Sequence, residues 1–440
     1  MKHPQTIFLR SFNLYYIHIL LSKAIKGTKI IFSTSIISFL LVVSIGCKPN
    51  GKDENNDLQT LVYLGIVSNT CNTVESCFQR FARTADEGAS LIVIDKNNNE
   101  IYNLESGNIA NDKHQIIFSG SKWVTAVIIQ RAIQSGTCNR ISAGGTFSPS
   151  LNLDTTTGTV LGWTVRNTIT MRQLLAFTSG LDDNSGASGQ DPCLVAIPNN
   201  ATNADKIACA ESIRDNTAQN PPGAAFVYNS NHMAIAQRMA EVACNKTWTE
   251  IYRDEVITPL GFDSAKSFWY SNLGEAIAGN PTGDGSLAGA YGLVTSPREY
   301  SRILLALLRE GTGFNGSADV AGYLTSARVT EILADQSENS RIGFSQFAAF
   351  GSEWKYGLGN WRDCSNPNDV SKCEEDLISH SIGGNGFYPW LDRNRGYIGI
   401  VAVNNLGRKG GLTNLPSTVN SLFFGETIRP LIHQRLNLAQ

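Results

Sequence analysis

Neither charge nor metal-ligand spacing marks this chain for a partner. Lysine and arginine (36) are balanced by aspartate and glutamate (38), the formal net charge is −2, and no run of one sign occurs. That excludes the basic footprint of a nucleic-acid binder and any polyelectrolyte ligand. There is no Cys-x2-Cys pair, and the histidines (His3, His18, His114, His232, His380 and His433) are scattered. A zinc site is therefore not expected, and no metal or organic cofactor is implied. No Gly-x-Ser-x-Gly turn is present, which argues against a Ser-His-Asp hydrolase built on a strand–elbow–helix. Internal repeats and low-complexity tracts are missing as well. What remains in 440 residues is one large domain or two modest ones. Abundant glycine (40) and recurrent Asn, Ser and Thr clusters between apolar stretches suit a loop-rich globular enzyme.

The N-terminal region reads as an export signal over residues 1–46. Lys23, Lys26 and Lys29 precede an apolar stretch, Ile30 to Ile45, which is short for a bilayer span and suits a signal core. It ends Ser44-Ile45-Gly46-Cys47, similar to a bacterial lipobox in which Cys47 becomes the lipidated first residue, although Ser44 stands where leucine is usual. A plain transmembrane anchor is the alternative. Residues 47–60 are polar and serve as a tether, and residues 61–440 form the folded domain. The expected location is periplasmic or on the cell surface, held to the membrane as a lipoprotein.

Setting Cys47 aside leaves eight of the nine cysteines, an even number that suggests disulfides in an exported protein. Cys71–Cys77, Cys193–Cys209 and Cys364–Cys373 are close in sequence and flank polar loops, so local bridges are expected. That leaves Cys138 with Cys244. The sequence alone keeps the connectivity open.

Along the domain, Leu61 to Thr84 reads as a helix, interrupted near the Cys71–Cys77 loop. Ser90 to Asp95 and Glu100 to Leu104 read as two strands around a polar turn. Residues 137–220 carry helices and loops without clear strands. Strand patterns return at Leu377 to Trp390 and Tyr397 to Val403, and a helix from about Pro416 closes the chain. Strands at both ends with helices between them predict an α+β fold. One antiparallel sheet is flanked by helices, with a mostly helical insertion over about 137–300.

The most informative local feature is Ser119-Gly120-Ser121-Lys122, at the mouth of an apolar helix running from Trp123 to Ser135 and ended by Gly136. Apolar on nearly all sides, that helix should lie buried. At i and i+3 the serine hydroxyl and the lysine amine share a face, so Lys122 can act on the Ser119 proton. Unpaired N–H groups at the helix start favour an oxyanion there. A second match, Ser352-Glu353-Trp354-Lys355, has no apolar helix behind it and reads as accidental.

Over roughly residues 85–410 the chain resembles the serine beta-lactamase-related superfamily: class C beta-lactamases, D-alanyl-D-alanine carboxypeptidases and their esterase relatives. The Ser119 to Lys122 segment is similar to that family's nucleophile motif. Ile169 to Leu181, ending Thr-Ser-Gly-Leu, is similar to its most distinctive helix. Pro222-Gly-Ala-Ala-Phe-Val-Tyr-Asn-Ser-Asn231 is similar to its tyrosine motif. Thr258-Pro-Leu-Gly-Phe262, Gly292-Leu-Val-Thr-Ser-Pro-Arg298 and Tyr356-Gly-Leu-Gly359 follow in the expected order. The resemblance implies catalytic roles for Ser119, Lys122 and Tyr228, with the Tyr228 phenol, its pKa lowered beside Lys122, as general base and then acid. The family's asparagine two residues after the tyrosine is Ser230 here, and Asn231 comes one later. Either is expected to meet Lys122 or a substrate carbonyl.

The chain departs from the family at His380-Ser-Ile-Gly-Gly-Asn-Gly386. Aligned on the family's Lys-Thr-Gly strand, Ser381 replaces the cation and Ile382 the threonine. His380 is one position early and would point to the other face. Gly383 is expected to let substrate approach closely, and the Gly384 N–H to join the Ser119 N–H as the oxyanion hole. Without the cation and hydroxyl, substrates carrying a carboxylate lose their anchor. The expected protein is therefore a serine hydrolase working through an acyl-enzyme on esters or amides that lack a carboxylate. A beta-lactamase or D-alanyl-D-alanine carboxypeptidase acting on peptidoglycan-like substrates is the alternative. A catalytically silent surface binding protein is the third reading.

Overall fold

Thr73 accepts from the Ser76 N–H and Ser76 returns a bond to Thr73, a capping box that starts helix α1 (Val74–Ala82). The computed structural model describes residues 71–182, 193–196, 201–216, 218–270, 286–337, 341–344, 355–363, 377–404 and 415–438. The expected leader, Cys47, the tether and the Cys364–Cys373 bridge lie outside the described residues, as do the first ten residues of the helix expected from Leu61.

The elements that carry the site follow in chain order. Strands β1 (Gly88–Asp95) and β2 (Glu100–Gly107) lead through the short β3 (Gln115–Ile116) to helix α2 (Ser121–Ser135). Helix α3 (Met171–Leu175) begins with a capping box between Thr170 and Gln173. Then come β4 (Ala225–Val227), α4 (Asn231–Cys244), β5 (Phe268–Trp269), β6 (Leu293–Thr295) and α5 (Pro297–Leu308). The chain continues through β7 (Arg341–Phe344), β8 (Lys355–Tyr356), β9 (Trp361–Asp363), β10 (Ile378–His380), β11 (Tyr388–Asp392) and β12 (Tyr397–Val403) to α6 (Leu415–Leu438).

The main sheet has the order β8-β9-β10-β11-β12-β1-β2, antiparallel at every pairing. It joins the two ends of the domain, with Ile92 opposite Ile400 and Ile94 opposite Ile398. Strands β1 and β12 are buried along nearly their whole length, which is why they read as continuous apolar runs rather than alternating ones. Helices α1 and α6 meet through stacked Phe81 and Phe424, ring centroids 4.3 Å apart. Arg429 of α6 lies over Tyr388 and Trp390 of β11, while Tyr300 of α5 meets Phe387 edge-on. The fold is therefore α+β, as expected.

Two strand expectations change. Leu377 to Trp390 is not one strand but the two arms of a hairpin, β10 and β11, with Ile378 opposite Asp392. A turn separates them because the Gly383 N–H bonds the Phe387 carbonyl and the Gly386 N–H bonds the Gly383 carbonyl. Within 137–220, Leu181–Asp182 pairs with Ala218–Gln219, a ladder too short to leave an alternating pattern.

Helix α2 is buried on nearly every side and packs against α4. Its Trp123, Val127 and Ile128 are fully enclosed, and burial of such side chains stabilises by about 1.5–3 kcal/mol each. The bridges Cys71–Cys77, Cys138–Cys244 and Cys193–Cys209 are present. Among the described residues, no helix is long and apolar enough to cross a membrane.

Candidate active site

Ser119 does not open α2 directly but sits in a single 3-10 turn, Phe118–Gly120, in front of it. Phe118 has a positive φ of 45°, a strained setting for an aromatic residue, and strain of this kind persists only where surrounding bonds impose it. Several do. The Ile117 N–H bonds the Leu293 carbonyl (3.1 Å), and the Leu293 N–H bonds Ser121 Oγ (3.0 Å). Buried Tyr300 donates to the Gly120 carbonyl (2.9 Å), and Ser381 Oγ donates to the carbonyl of Ser119 itself (3.0 Å). The Ser119 turn is thus held by β6, α5 and the β10–β11 turn.

Lys122 lies one turn on and is almost fully buried. Its Nζ is 3.0 Å from Ser119 Oγ and donates to the Ala290 carbonyl at 2.8 Å. Burial brings the amine's pKa from 10.5 down to about 7, so near neutrality a large fraction is uncharged and able to accept a proton. Ala290 escaped the sequence reading, having no reactive side chain. Its segment is held from behind, with the Thr125 hydroxyl donating to Gly289 O at 2.6 Å and the Gly289 N–H bonding Gln237 Oε1 at 2.8 Å.

Tyr228 completes the cluster. Its hydroxyl is close enough to Ser119 for the serine to favour the phenolate, and its ring centroid lies 4.9 Å from Lys122 Nζ. Phe177, Tyr356 and Trp361 enclose the ring, with Trp361 stacked at 5.2 Å. Burial pushes the phenol pKa up, and the influence of Ser119 offsets only part of that. This reverses the lowered pKa that the resemblance suggested: burial favours the protonated phenol and the neutral Lys122 amine.

The remaining candidates divide. The Asn231 amide donates to the Leu181 carbonyl (3.3 Å) from a fully buried position, while Ser230 caps α4 without a side-chain capping bond and stays half-buried. Ser381 turns its hydroxyl to the Ser119 carbonyl. His380 packs edge-on against Tyr388 near Arg429, and burial holds its pKa well below the usual histidine value. Ile382 is buried. A Cβ at Gly383 would fall 2.1 Å from the Ile117 carbonyl, so its bareness lets the segment before Ser119 approach closely. Gly384, next in line, is half-buried.

His232 was not singled out from the sequence, where it is one scattered histidine. It is fully buried between Ser179, in the Thr-Ser-Gly-Leu segment, and the Val227 carbonyl. Among the described residues, no cluster of three or more His, Cys, Asp or Glu side chains is placed to hold a metal ion.

Residues 75–417 match the family model described as Beta-lactamase. No curated protein matches the sequence. Among solved structures, a Bacteroides dorei DSM 17855 protein provisionally named a beta-lactamase is 24% identical, with a TM-score of 0.62 over 82% of this chain and 98% of that one. A variant of simvastatin synthase from Aspergillus terreus is 14% identical, with a TM-score of 0.55 over 83% of this chain and 97% of the other. A Bacillus anthracis protein provisionally named a 6-aminohexanoate-dimer hydrolase is 15% identical, with a TM-score of 0.53 over 80% of each chain. At these identities the likeness is one of fold.

Proposed function

The chain belongs to the beta-lactamase family, whose fold is generally that of serine hydrolases, and from that premise we propose that it cleaves esters or amides through an acyl-enzyme. The observation that carries this reading is the gathering of two proton-handling groups at one serine: Lys122 Nζ lies 3.0 Å from Ser119 Oγ, and the Tyr228 ring centroid lies 4.9 Å from the same amine. When Lys122 is neutral the contact reverses, and the hydroxyl donates to the amine.

In the proposed sequence Ser119 Oγ attacks the substrate carbonyl as Lys122 takes its proton. The negative oxygen is held by the N–H groups of Ser119 and Gly384. The C–O or C–N bond then breaks, and the leaving group departs with a proton passed from Lys122 through the Tyr228 hydroxyl. Water, deprotonated by the same pair, attacks the ester on Ser119. The acid leaves and the hydroxyl is restored.

The preference for substrates without a carboxylate rests on the β10–β11 turn. Ser381 is committed to the Ser119 carbonyl and Ile382 is apolar, so neither presents a cation to an anionic substrate. A beta-lactamase or D-alanyl-D-alanine carboxypeptidase on the same residues is the alternative, and a silent binding protein the third. The disulfides are compatible with an exported protein, and lipid anchoring through Cys47 is part of the proposal.

Two measurements test this reading. A fluorophosphonate probe should label the wild type and not Ser119→Ala; equal labelling of both removes Ser119 from the mechanism. Turnover of a short-chain p-nitrophenyl ester should exceed that of nitrocefin, and strong nitrocefin hydrolysis without esterase activity would establish the lactamase alternative instead.

A further inference from the structure

His232 belongs to no motif that pointed to the site, and it lies four residues beyond Tyr228. Both of its ring nitrogens are engaged: Ser179 Oγ is 2.7 Å from Nδ1, and the Val227 carbonyl is 2.9 Å from Nε2. A carbonyl only accepts, so Nε2 carries the proton, and Nδ1 of the neutral ring accepts from the Ser179 hydroxyl. Burial drives this histidine's pKa down to about 3, against the bond to Val227 and aided by the Lys122 charge, so the neutral form persists at working pH. The ring stacks on Phe177 at 5.1 Å, and Phe177 meets the Tyr228 ring edge-on at 5.2 Å. The Phe177 carbonyl also accepts the Val227 N–H at 3.0 Å. Val227, the residue before Tyr228, is therefore gripped at both backbone polar groups, its N–H by Phe177 and its carbonyl by His232.

Resting on the hydrolase reading above, we infer that His232 is a positioning residue: by fixing the peptide between Val227 and Tyr228, it keeps the Tyr228 phenol on the Ser119 hydroxyl. Proton transfer depends steeply on such placement, because a shift of about 1 Å costs on the order of a hundredfold in rate. The Thr-Ser-Gly-Leu segment then has a physical task, which is to supply the Ser179 hydroxyl and the Phe177 platform for that imidazole.

The test is the rate of Ser119 labelling by a fluorophosphonate on the 440-residue chain, resolved into kinact and KI, beside thermal melting. His232→Ala should lower kinact about 10–100-fold with KI changed less than about threefold. His232→Gln, which keeps a donor facing Val227, should recover to within about fivefold of wild type. In a Tyr228→Phe background, His232→Ala should change kinact less than about twofold, since no phenol is left to position. Wild-type kinact in His232→Ala, or an equal loss in both backgrounds, overturns the inference. If His232→Ala does not fold, Ser179→Ala takes its place: non-additivity with Tyr228→Phe supports the inference, and additivity overturns it. If Ser119→Ala and Tyr228→Phe both label like wild type, the hydrolase reading itself fails and this inference with it.

Discussion

The α-carbon of Gly359 presses against the carbonyl of Lys122, so closely that a Cβ there would lie 2.3 Å from the oxygen. The residue has a left-handed φ of 71°, and its N–H bonds the Leu175 carbonyl at 3.0 Å. The Tyr356-Gly-Leu-Gly359 run is thus the piece of backbone that clamps the start of α2 against α3. Gly359→Ala combines a disfavoured φ with a clash against main chain that cannot rotate away. We expect a loss of about 1–3 kcal/mol in unfolding free energy and slower Ser119 labelling. Unchanged melting and labelling would show that this contact relaxes without consequence.

The pH dependence follows from Lys122. Its amine must be neutral to accept the Ser119 proton, and burial has brought its pKa to about 7. Ester turnover should therefore rise with pH through about 7 and level off above it. An enzyme still gaining activity toward pH 10 would mean an unshifted lysine. Between about 7 and the unfolded value of 10.5 the unfolded chain binds more protons here than the folded one, so this group's contribution to stability rises with pH across that window. Lys122→Met should abolish turnover and flatten that part of the stability curve.

Tyr228→Phe keeps the ring among Phe177, Tyr356 and Trp361 but removes the hydroxyl proposed to pass a proton near Ser119. Proton-transfer groups typically contribute 10²–10⁴-fold, so turnover should fall by about that factor with little change in KM. A tenfold loss or less would assign the proton path to Lys122 alone.

Ser381→Ala removes the hydroxyl that holds the Ser119 carbonyl at 3.0 Å. Loss of one such bond should cost about 1 kcal/mol of stability and leave the ratio of ester to nitrocefin turnover unchanged. A change of more than tenfold in that ratio would show that Ser381 contacts substrate.

Cys138 follows the end of α2 and Cys244 is the last residue of α4, the helices that begin beside Ser119 and Tyr228. The bridge closes a separation of 106 residues. Replacing both cysteines by serine, or reducing the wild type, should lower stability by about 2–5 kcal/mol, read by denaturant unfolding. Little or no change would mean that packing between the two helices suffices.

Much of this was present in the chain as written because it is local. Ser119 and Lys122 stand three apart, and one helical turn brings them together wherever that helix lies. The apolar run behind them announces burial, and the long strands at both ends carry enough apolar residues to declare a sheet. Other features depend on partners far away in sequence and leave no spacing to read. The carbonyl of Ala290 receives the Lys122 amine, the Ser381 hydroxyl goes to backbone instead of substrate, and His232 bridges Ser179 to Val227. Even the direction of the Tyr228 pKa shift is opposite to the expected one, because the rings that desolvate it come from several separate segments.

What the amino-acid order determined by itself is therefore the pairing of Ser119 with Lys122 and the class of fold, since each rests on helix period or strand pattern. Tertiary structure alone decided how far the Lys122 pKa falls, what packs against Tyr228 and what Ser381 faces. Those outcomes are set by solvent exclusion and by contacts between distant segments, and neither exists until the chain has closed on itself.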